Sequence, residues 1–537
     1  MLENYIASCG GINNISRILH SDEQLIFEVD QLSLVVNDAK INTNAAMSQV
    51  SFRPAHTVDL YKLLSVGSSI KNRQLNAIQS LEKPVECHYR PSWHIAPPSG
   101  LLNDPNGFIY HNGEYHLFYQ WSPFQCQHVD KYWAHLTSKD MVHWQARPIA
   151  LTPSDWFDSH GVFSGHAVSN EQQLMLFYTG NVRIGEERQR QTTQCLAVSD
   201  NGIDFNKIGP VIDSLPEGVT PHCRDPKVVK IGDEWWMLLG VQRQDLTGRL
   251  AVYKSKDLYN WQFDQLYGDE LGDFGYMWEC PDLFLLDDNL LAVIGPQGIT
   301  STSQHHTTPH HNGYLKATIS EQGHLSMSDF EQLDHGFDFY APQTLQTEDG
   351  RRVLTAWMGL PDEVNHPTVD NGWIHQLTCL RELSLNDGHL YQQPVSELTS
   401  LRKPLEEFTL DNSTMSLATR SFELKVQLHW GDTLSLFKDD NNQVTIALNK
   451  ENRTLYLDRS KTQIRQGDTI RELALQSEVV DLHILSDNSS LEIFINQGEF
   501  VMSSRIFVPN TATGIALKGK AQCQFWPLSP ASGSGND

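Results

Sequence analysis

From about residue 110 to 360 the chain repeats one pattern, a polar turn followed by a short aromatic and aliphatic run. Its five occurrences are GEYHLFYQW, QQLMLFYTG, DEWWMLLGV, DNLLAVIGP and RRVLTAWMG, ending near Tyr119, Tyr178, Leu239, Ile294 and Trp357. They are spaced by roughly 60 residues, the mark of a repeat architecture. A second element recurs between them, in SKDMVHW, SDNGIDF and SKDLYNW: a Ser-Asp or Ser-Lys-Asp turn leading to an aromatic residue. Strands at regular spacing without long amphipathic helices predict an all-β fold. A unit of about 60 residues holds about four strands, one propeller blade. Five units over 86–400 therefore predict a five-bladed β-propeller, whose inner strands meet around one axis.

The pattern changes after Leu405. SFELKVQLHW, QVTIALNK, RTLYLDRS and SLEIFINQG alternate apolar and polar residues between Asp-, Asn- and Gly-rich turns, which predicts a C-terminal β-sandwich over 401–528. Residues 1–85 differ from both. IFEVDQLSLVV reads as a strand and TVDLYKLLSVGSSIKNRQLNAIQSLEK as a helix, so a small N-terminal α/β extension with a connecting helix is expected. The tail SPASGSGND, 529–537, is expected to be disordered.

A chain of 537 residues has room for two or three domains. Its net charge of −25 argues against nucleic acid and against an anionic membrane surface as partners. No apolar run approaches the ~20 residues that span a bilayer, so no membrane insertion is expected. The start, MLENYIASCGG, has no basic region followed by an apolar stretch, so no secretory signal is read there. Eight dispersed cysteines without a C-x-x-C pair suggest reduced thiols in a cytoplasmic protein and no zinc site.

Three acidic motifs fall in three different repeat units: Asn103-Asp104-Pro105-Asn106-Gly107, Arg224-Asp225-Pro226, and Glu279-Cys280-Pro281-Asp282. Each alone reads as a turn, a rim or an ion pair. The first has the composition of a tight turn, and the prolines are expected at strand ends. As a set they suit a glycosidase, which needs one ionised carboxylate and one that keeps its proton near neutral pH. The amide-rich surroundings of Asp104 are expected to favour its anion. Met277 and Trp278 are expected to raise the pKa of Glu279, and Arg224 to keep Asp225 ionised.

With these residues in view, the chain resembles glycoside hydrolase family 32, the β-fructofuranosidases, and within it the bacterial sucrose-6-phosphate and sucrose hydrolases. HIAPPSGLLNDPNGFIY, HLFYQWSPF, YWAHLTSKDMVHW, GVFSGHAV, HCRDPKVV, YMWECPDLF, DFYAPQT, AWMGLPD, LRELSL and SLEIFINQGEFVMSSRIF carry the likeness, in order, over about residues 88–525. The resemblance implies a propeller followed by a sandwich, a retaining mechanism, and no metal or other cofactor. It implies Asp104 as nucleophile, Glu279 as acid and base, and Asp225 as stabiliser of the transition state. It implies that Leu101, Leu102, Asn103, Gln120, Phe163, Ser164, Arg224 and Trp357 contact the sugar. Retention requires Asp104 and Glu279 to lie roughly 5–5.5 Å apart. Leu101-Leu102 stand where many members have Trp-Met, and His128 where many secreted members have Trp. Both are familiar among the sucrose-6-phosphate enzymes, which keeps hydrolysis as the expectation and argues against an invertase or fructan preference.

Transfer of the fructosyl group to a sugar, fructan hydrolysis, an inverting arabinanase and a sugar-binding propeller without activity stay open as alternatives. Lys131, Arg183, Arg188 and Arg190, in loops after the first and second units, are candidates for a substrate phosphate. His305, His306, His310 and His311 read as a polar blade loop rather than a metal site. YIASCGGINNI and the stretch after it resemble the IIB domains of sugar phosphotransferase systems without their phosphorylated cysteine. That likeness implies a link to a sugar transporter, against the plainer reading of a structural extension.

Overall fold

The structure, a computed structural model, describes residues 2–21, 24–36, 41–52, 63–81, 87–170, 172–299 and 310–531. His305 and His306 lie outside the described residues, as does most of the tail.

Five sheets of four or five strands form the propeller, each with an inner strand that begins its blade. The inner strands are Gly100–His111, Val162–Ser169, Val219–Ile231, Met277–Leu286 and Tyr340–Gln346, for blades 1 to 5. The apolar runs that mark the repeat are the second strands, Glu114–Ser122, Leu174–Ile184, Glu234–Arg243, Asn289–Gln297 and Arg352–Met358. They are nearly continuous in apolar residues because both faces of a blade pack against neighbouring blades. The ring is closed late in the chain: Trp373–Ile374 pairs in parallel with Gly100 and Leu101 of blade 1, and Gln376–Leu377 pairs with blade 5.

The inner strands share one irregularity. The register shifts across Pro226, Pro281 and Pro342, and on either side of Pro105-Asn106 in blade 1, because a proline cannot donate to the ladder and a bulge absorbs it. Aligned on the proline, the blades read Asn103-Asp104-Pro105-Asn106, Arg224-Asp225-Pro226-Lys227, Glu279-Cys280-Pro281-Asp282 and Tyr340-Ala341-Pro342-Gln343. Blade 2 has Phe163-Ser164-Gly165-His166 at the same place, and a Cβ on Gly165 would lie 1.9 Å from the Phe177 carbonyl oxygen.

The residue after each proline turns toward the next blade. Asn106 accepts from the Gly165 amide (2.9 Å), and His166 Nε2 meets Lys227 Nζ (2.9 Å). Lys227 pairs with Asp282 (2.8 Å), and Asp282 accepts from the Thr344 amide and hydroxyl (both 2.9 Å). Gln343 accepts from the Phe108 amide (3.2 Å). These bonds link all five blades in a closed circuit at the bulged level of the inner strands.

After the propeller, ten antiparallel strands curl into a β-sandwich around Leu424, Leu434, Ile446, Ile484 and Ile493. The two bodies meet over a buried polar network: Arg381 bridges Asp334 (3.0 Å) and Glu492 (2.6 Å), and His94 lies between Asp487 (3.0 Å) and Glu492 (2.9 Å).

The N-terminal unit has a four-stranded antiparallel sheet, Ile15–Ser21, Gln24–Val29, Gln49–Phe52 and Asn42–Asn44 in spatial order. The helix Leu64–Gln79 packs on it through Val66 and Ile70. The strand expected over 26–36 stops at Val29. Asn14 there exchanges two side-chain hydrogen bonds with the Gln31 backbone, and Leu32–Leu34 turns as a 3-10 helix. Among the described residues no helix is long and apolar enough to cross a membrane.

Candidate active site

A cavity of about 700 Å³ opens where the five inner strands converge. Every blade contributes to its lining: Asn103 and Asp104, Phe163 and Ser164, Arg224 and Asp225, Glu279, and Tyr340. The three acidic motifs therefore meet in one place. The backbone departs from the expected tight turn, since Asn103 to Gly107 run inside a strand with shifts on either side of Pro105-Asn106. Nor do Pro105, Pro226 and Pro281 end their strands; each marks a bulge within one. The bulge is what turns the preceding side chains into the cavity. Asp225, Cys280 and Ala341 take positive φ angles of 64°, 47° and 50°, a conformation costing about 1 kcal/mol or more for a non-glycine residue.

Asp104 stands at the end of a directed hydrogen-bond chain. Lys131 Nζ donates to Asn103 Oδ1 (2.8 Å), Asn103 Nδ2 to Gln120 Oε1 (2.5 Å), and Gln120 Nε2 to Ser164 Oγ (2.8 Å). Ser164 in turn donates to Asp104 Oδ2. Each bond polarises the next toward the carboxylate. Glu279 is held more tightly still. Its Oε1 accepts from Arg224 Nε (3.0 Å) and Nη2 (2.5 Å), and its Oε2 from Gln297 (2.6 Å) and Tyr340 (2.6 Å). Asp225 accepts from the Cys280 amide (3.0 Å), and its own amide donates to Thr179 Oγ1 (3.0 Å). The Cys280 thiol sits 3.8 Å from Asp104 and 3.7 Å from Asp225.

This geometry reverses the proton affinities expected from sequence. Burial raises the pKa of Asp104, against the Ser164 bond, and the nearby Glu279 charge raises it further. Burial also lifts Asp225 to about 7, with Arg224 opposing and Glu279 adding to the rise. Glu279 is lowered instead: burial works against its anion, but Arg224 and Tyr340 outweigh it. The cause is the direction of Arg224. It stands beside Asp225 in sequence, yet its guanidinium reaches across to the next blade and leaves Asp225 at 3.8 Å. Met277 and Trp278 are fully buried in the protein core and do not desolvate Glu279 from the cavity side.

Gln120, Phe163, Ser164, Arg224 and Trp357 line the cavity with the three carboxylates. Among the described residues, the buried Trp357 Nε1 has no hydrogen-bond partner. Leu101 and Leu102 are fully buried and outside the lining; Leu102 packs with Tyr119, Trp121 and Trp357. Sequence reasoning assigned no part to Tyr340 or Gln297. Tyr340 was legible: Tyr-Ala-Pro-Gln repeats the Glu-Cys-Pro-Asp register. Gln297 carries no comparable signal. Lys131, Arg183, Arg188 and Arg190 also line the cavity, although not from loops between blades. Lys131 precedes the third strand of blade 1, and the arginines cluster at the tip of the hairpin within blade 2.

His310 and His311 are buried rather than part of a solvated loop, and His310 Nε2 meets Asp362 (2.6 Å). Elsewhere among the described residues, Asp338, Glu363 and His366 are close enough to share a cation. Arg459 already supplies positive charge there, donating to Asp338 at 2.5 Å.

The chain matches the models of the glycosyl hydrolases family 32 N-terminal domain over residues 94–394 and family 32 C terminal over 385–527. A probable sucrose-6-phosphate hydrolase of Psychromonas ingrahamii is 55% identical, over 99% of each chain. The solved structure of sucrose-6-phosphate hydrolase from Lactobacillus gasseri superposes with a TM-score of 0.79 at 32% identity, covering 86% of this chain and 97% of that one. A mutant of a Bombyx mori GH32 β-fructofuranosidase, solved in complex with sucrose, gives 0.76 at 29% identity, covering 87% and 99%.

Proposed function

The chain belongs to glycosyl hydrolase family 32, and from that premise we propose that it is a retaining β-fructofuranosidase cleaving sucrose 6-phosphate, and sucrose, to fructose and glucose 6-phosphate or glucose. The observation that carries this reading is the meeting of Asp104, Asp225 and Glu279 in one cavity, each from a different blade. The names of the relatives support the phosphorylated substrate, and the sucrose bound to the Bombyx mori relative supports the disaccharide.

In the first step Asp104 attacks the anomeric carbon of the fructosyl unit. Glu279 gives its proton to the glycosidic oxygen, the carbon–oxygen bond breaks, and the glucosyl half leaves. In the second step water gives a proton to Glu279 and attacks the same carbon, releasing Asp104. Two inversions give net retention. Asp225 accepts hydrogen bonds from fructose hydroxyls as positive charge develops at the sugar ring.

In the free site Glu279 accepts four hydrogen bonds, and Arg224 and Tyr340 favour its anion against burial. The reacting form, with Glu279 protonated, is therefore the one that Arg224 opposes.

Asp104→Asn tests the nucleophile and Glu279→Gln the acid. Asp104→Asn is expected to lower kcat on sucrose 6-phosphate by about 1,000-fold or more. Glu279→Gln is expected to lower it by roughly 100- to 10,000-fold, and far less on an aryl fructoside whose leaving group needs no proton. Full activity of Asp104→Asn, or equal losses of Glu279→Gln on both substrates, would reject the assignment.

A further inference from the structure

The cations around the cavity are unequally provided for. Arg224 is paired with Glu279, and Lys131 is bonded to Asn103. Arg183 and Arg190 lie opposite each other beside the turn at the tip of the blade 2 hairpin, with Arg188 in that turn. Among the described residues none of these three arginines pairs with a carboxylate. Arg190 Nε is buried with no partner, and its guanidinium lies over the Phe163 ring at 5.5 Å. Burial, then Arg224 and Arg183, press the Arg190 pKa down to about 10. Of the hairpin's own acids, Glu186 accepts from Asn44 (3.5 Å) and does not line the cavity; Glu187 lines it but accepts from Gln189 (3.4 Å) rather than from an arginine. Mutually repelling arginines that form no ion pair among the described residues, attracted only through space by Glu279 and Asp225, fit a site completed by an anion even on a chain of net charge −25.

The N-terminal unit reaches this hairpin. Leu19 and Ile26 of its sheet pack against Val182 and Ile184, at the root of the arginine pair. Arg17 ion-pairs with Asp130, the neighbour of Lys131, and donates to the Ser159 carbonyl (2.5 Å). The next residue, His160, accepts from the Arg183 amide (3.2 Å). One guanidinium of the N-terminal unit thus ties together the segments that carry Lys131 and Arg183.

We propose that Arg183, Arg188 and Arg190 form the subsite for the phosphomonoester on the substrate's glucosyl half, and that the N-terminal unit is the brace that holds this subsite in shape. This rests on the reading above that the substrate carries a phosphate on its glucosyl side. Arg17 is then a positioning residue, acting through Asp130 and the Ser159-His160 segment.

The test is calorimetric titration of the full chain with glucose 6-phosphate and with glucose, which needs no turnover. The parent protein is expected to bind the phosphate at least about tenfold more tightly. Arg188→Ala and Arg190→Gln are each expected to remove most of that difference. Arg17→Ala is expected to weaken glucose 6-phosphate several-fold and glucose little, with Arg17→Lys recovering part. In turnover, the ratio of kcat/KM for sucrose 6-phosphate to that for sucrose falls in the same order, through KM rather than kcat. Equal affinity of the parent for both ligands, or an unchanged preference in the arginine variants, overturns the subsite. An unchanged preference in Arg17→Ala overturns the brace. Failure of the parent to cleave either sugar instead counts against the proposed function, and the titration still reads the subsite.

Discussion

Each of the two carboxyls proposed for catalysis accepts from a hydroxyl that adjusts a proton affinity otherwise governed by burial and Arg224, one from blade 2 and one from blade 5. Ser164 donates to Asp104 and favours its anion; Tyr340 donates to Glu279 (2.6 Å) and favours its anion too. The active form has Asp104 ionised and Glu279 protonated. Because the free site raises Asp104 and lowers Glu279, the acidic limb of kcat/KM follows the lower-lying Glu279 and the alkaline limb follows Asp104. Ser164→Ala removes a bond that lowers the Asp104 pKa, and the alkaline limb is expected to move to higher pH. Tyr340→Phe removes a bond that lowers the Glu279 pKa, and the acidic limb is expected to move to higher pH. Profiles of kcat/KM for the two variants check this. Movement of the same limb in both would mean that the carboxyl roles are wrongly divided.

At the scale of elements, the bulged inner strands do the positioning, and the circuit beneath them fixes one blade against the next. Lys227 is its most exposed weakness in energetic terms: nearly fully buried, it is the cation that compensates Asp282. Lys227→Met leaves that carboxylate buried with the Thr344 and Leu283 donors but without its paired cation, which costs about 3–5 kcal/mol. Adding Asp282→Asn is expected to recover a large part of the loss, and a double-mutant cycle by denaturant unfolding measures it. Additive losses would mean that the circuit does not act as a unit. The second strands and the acidic motifs were legible in the sequence because a 60-residue repeat of apolar runs survives divergence of the loops. The bulges were not, because Asn-Asp-Pro-Asn-Gly has the composition of a turn whether or not a partner strand lies on each side. The protonation states were not legible either. Arg224 and Asp225 are neighbours in the chain, but a bulge between them sends the guanidinium to another blade, and no local pattern encodes that direction.

The whole molecule depends on a charge placed where burial alone forbids it. His94 precedes the first blade and lies between Asp487 and Glu492 of the sandwich. Burial favours its neutral form, but hydrogen bonds to Asp487 and Glu492 outweigh it and raise its pKa. The two acids are lowered in return: burial opposes, while His94 holds down Asp487, and Arg381 with His94 brings Glu492 to about 2. A raised histidine contributes its full stabilisation below the unfolded value of about 6.5, and the contribution is lost as pH rises through the folded value. The lowered glutamate contributes above its usual 4.5 and loses that as pH falls toward about 2. The junction is therefore strongest between roughly pH 4.5 and 6.5. His94→Gln leaves both acids without a cation on that side and is expected to lower the Tm, most of all in that window. The difference from the parent protein shrinks as pH rises, because the parent loses its own imidazolium. Thermal unfolding of both proteins across pH 4 to 9 measures this, and a Tm difference independent of pH would mean that His94 is neutral at the junction. If the difference does shrink, the junction's stabilisation by the His94 charge is lost at alkaline pH.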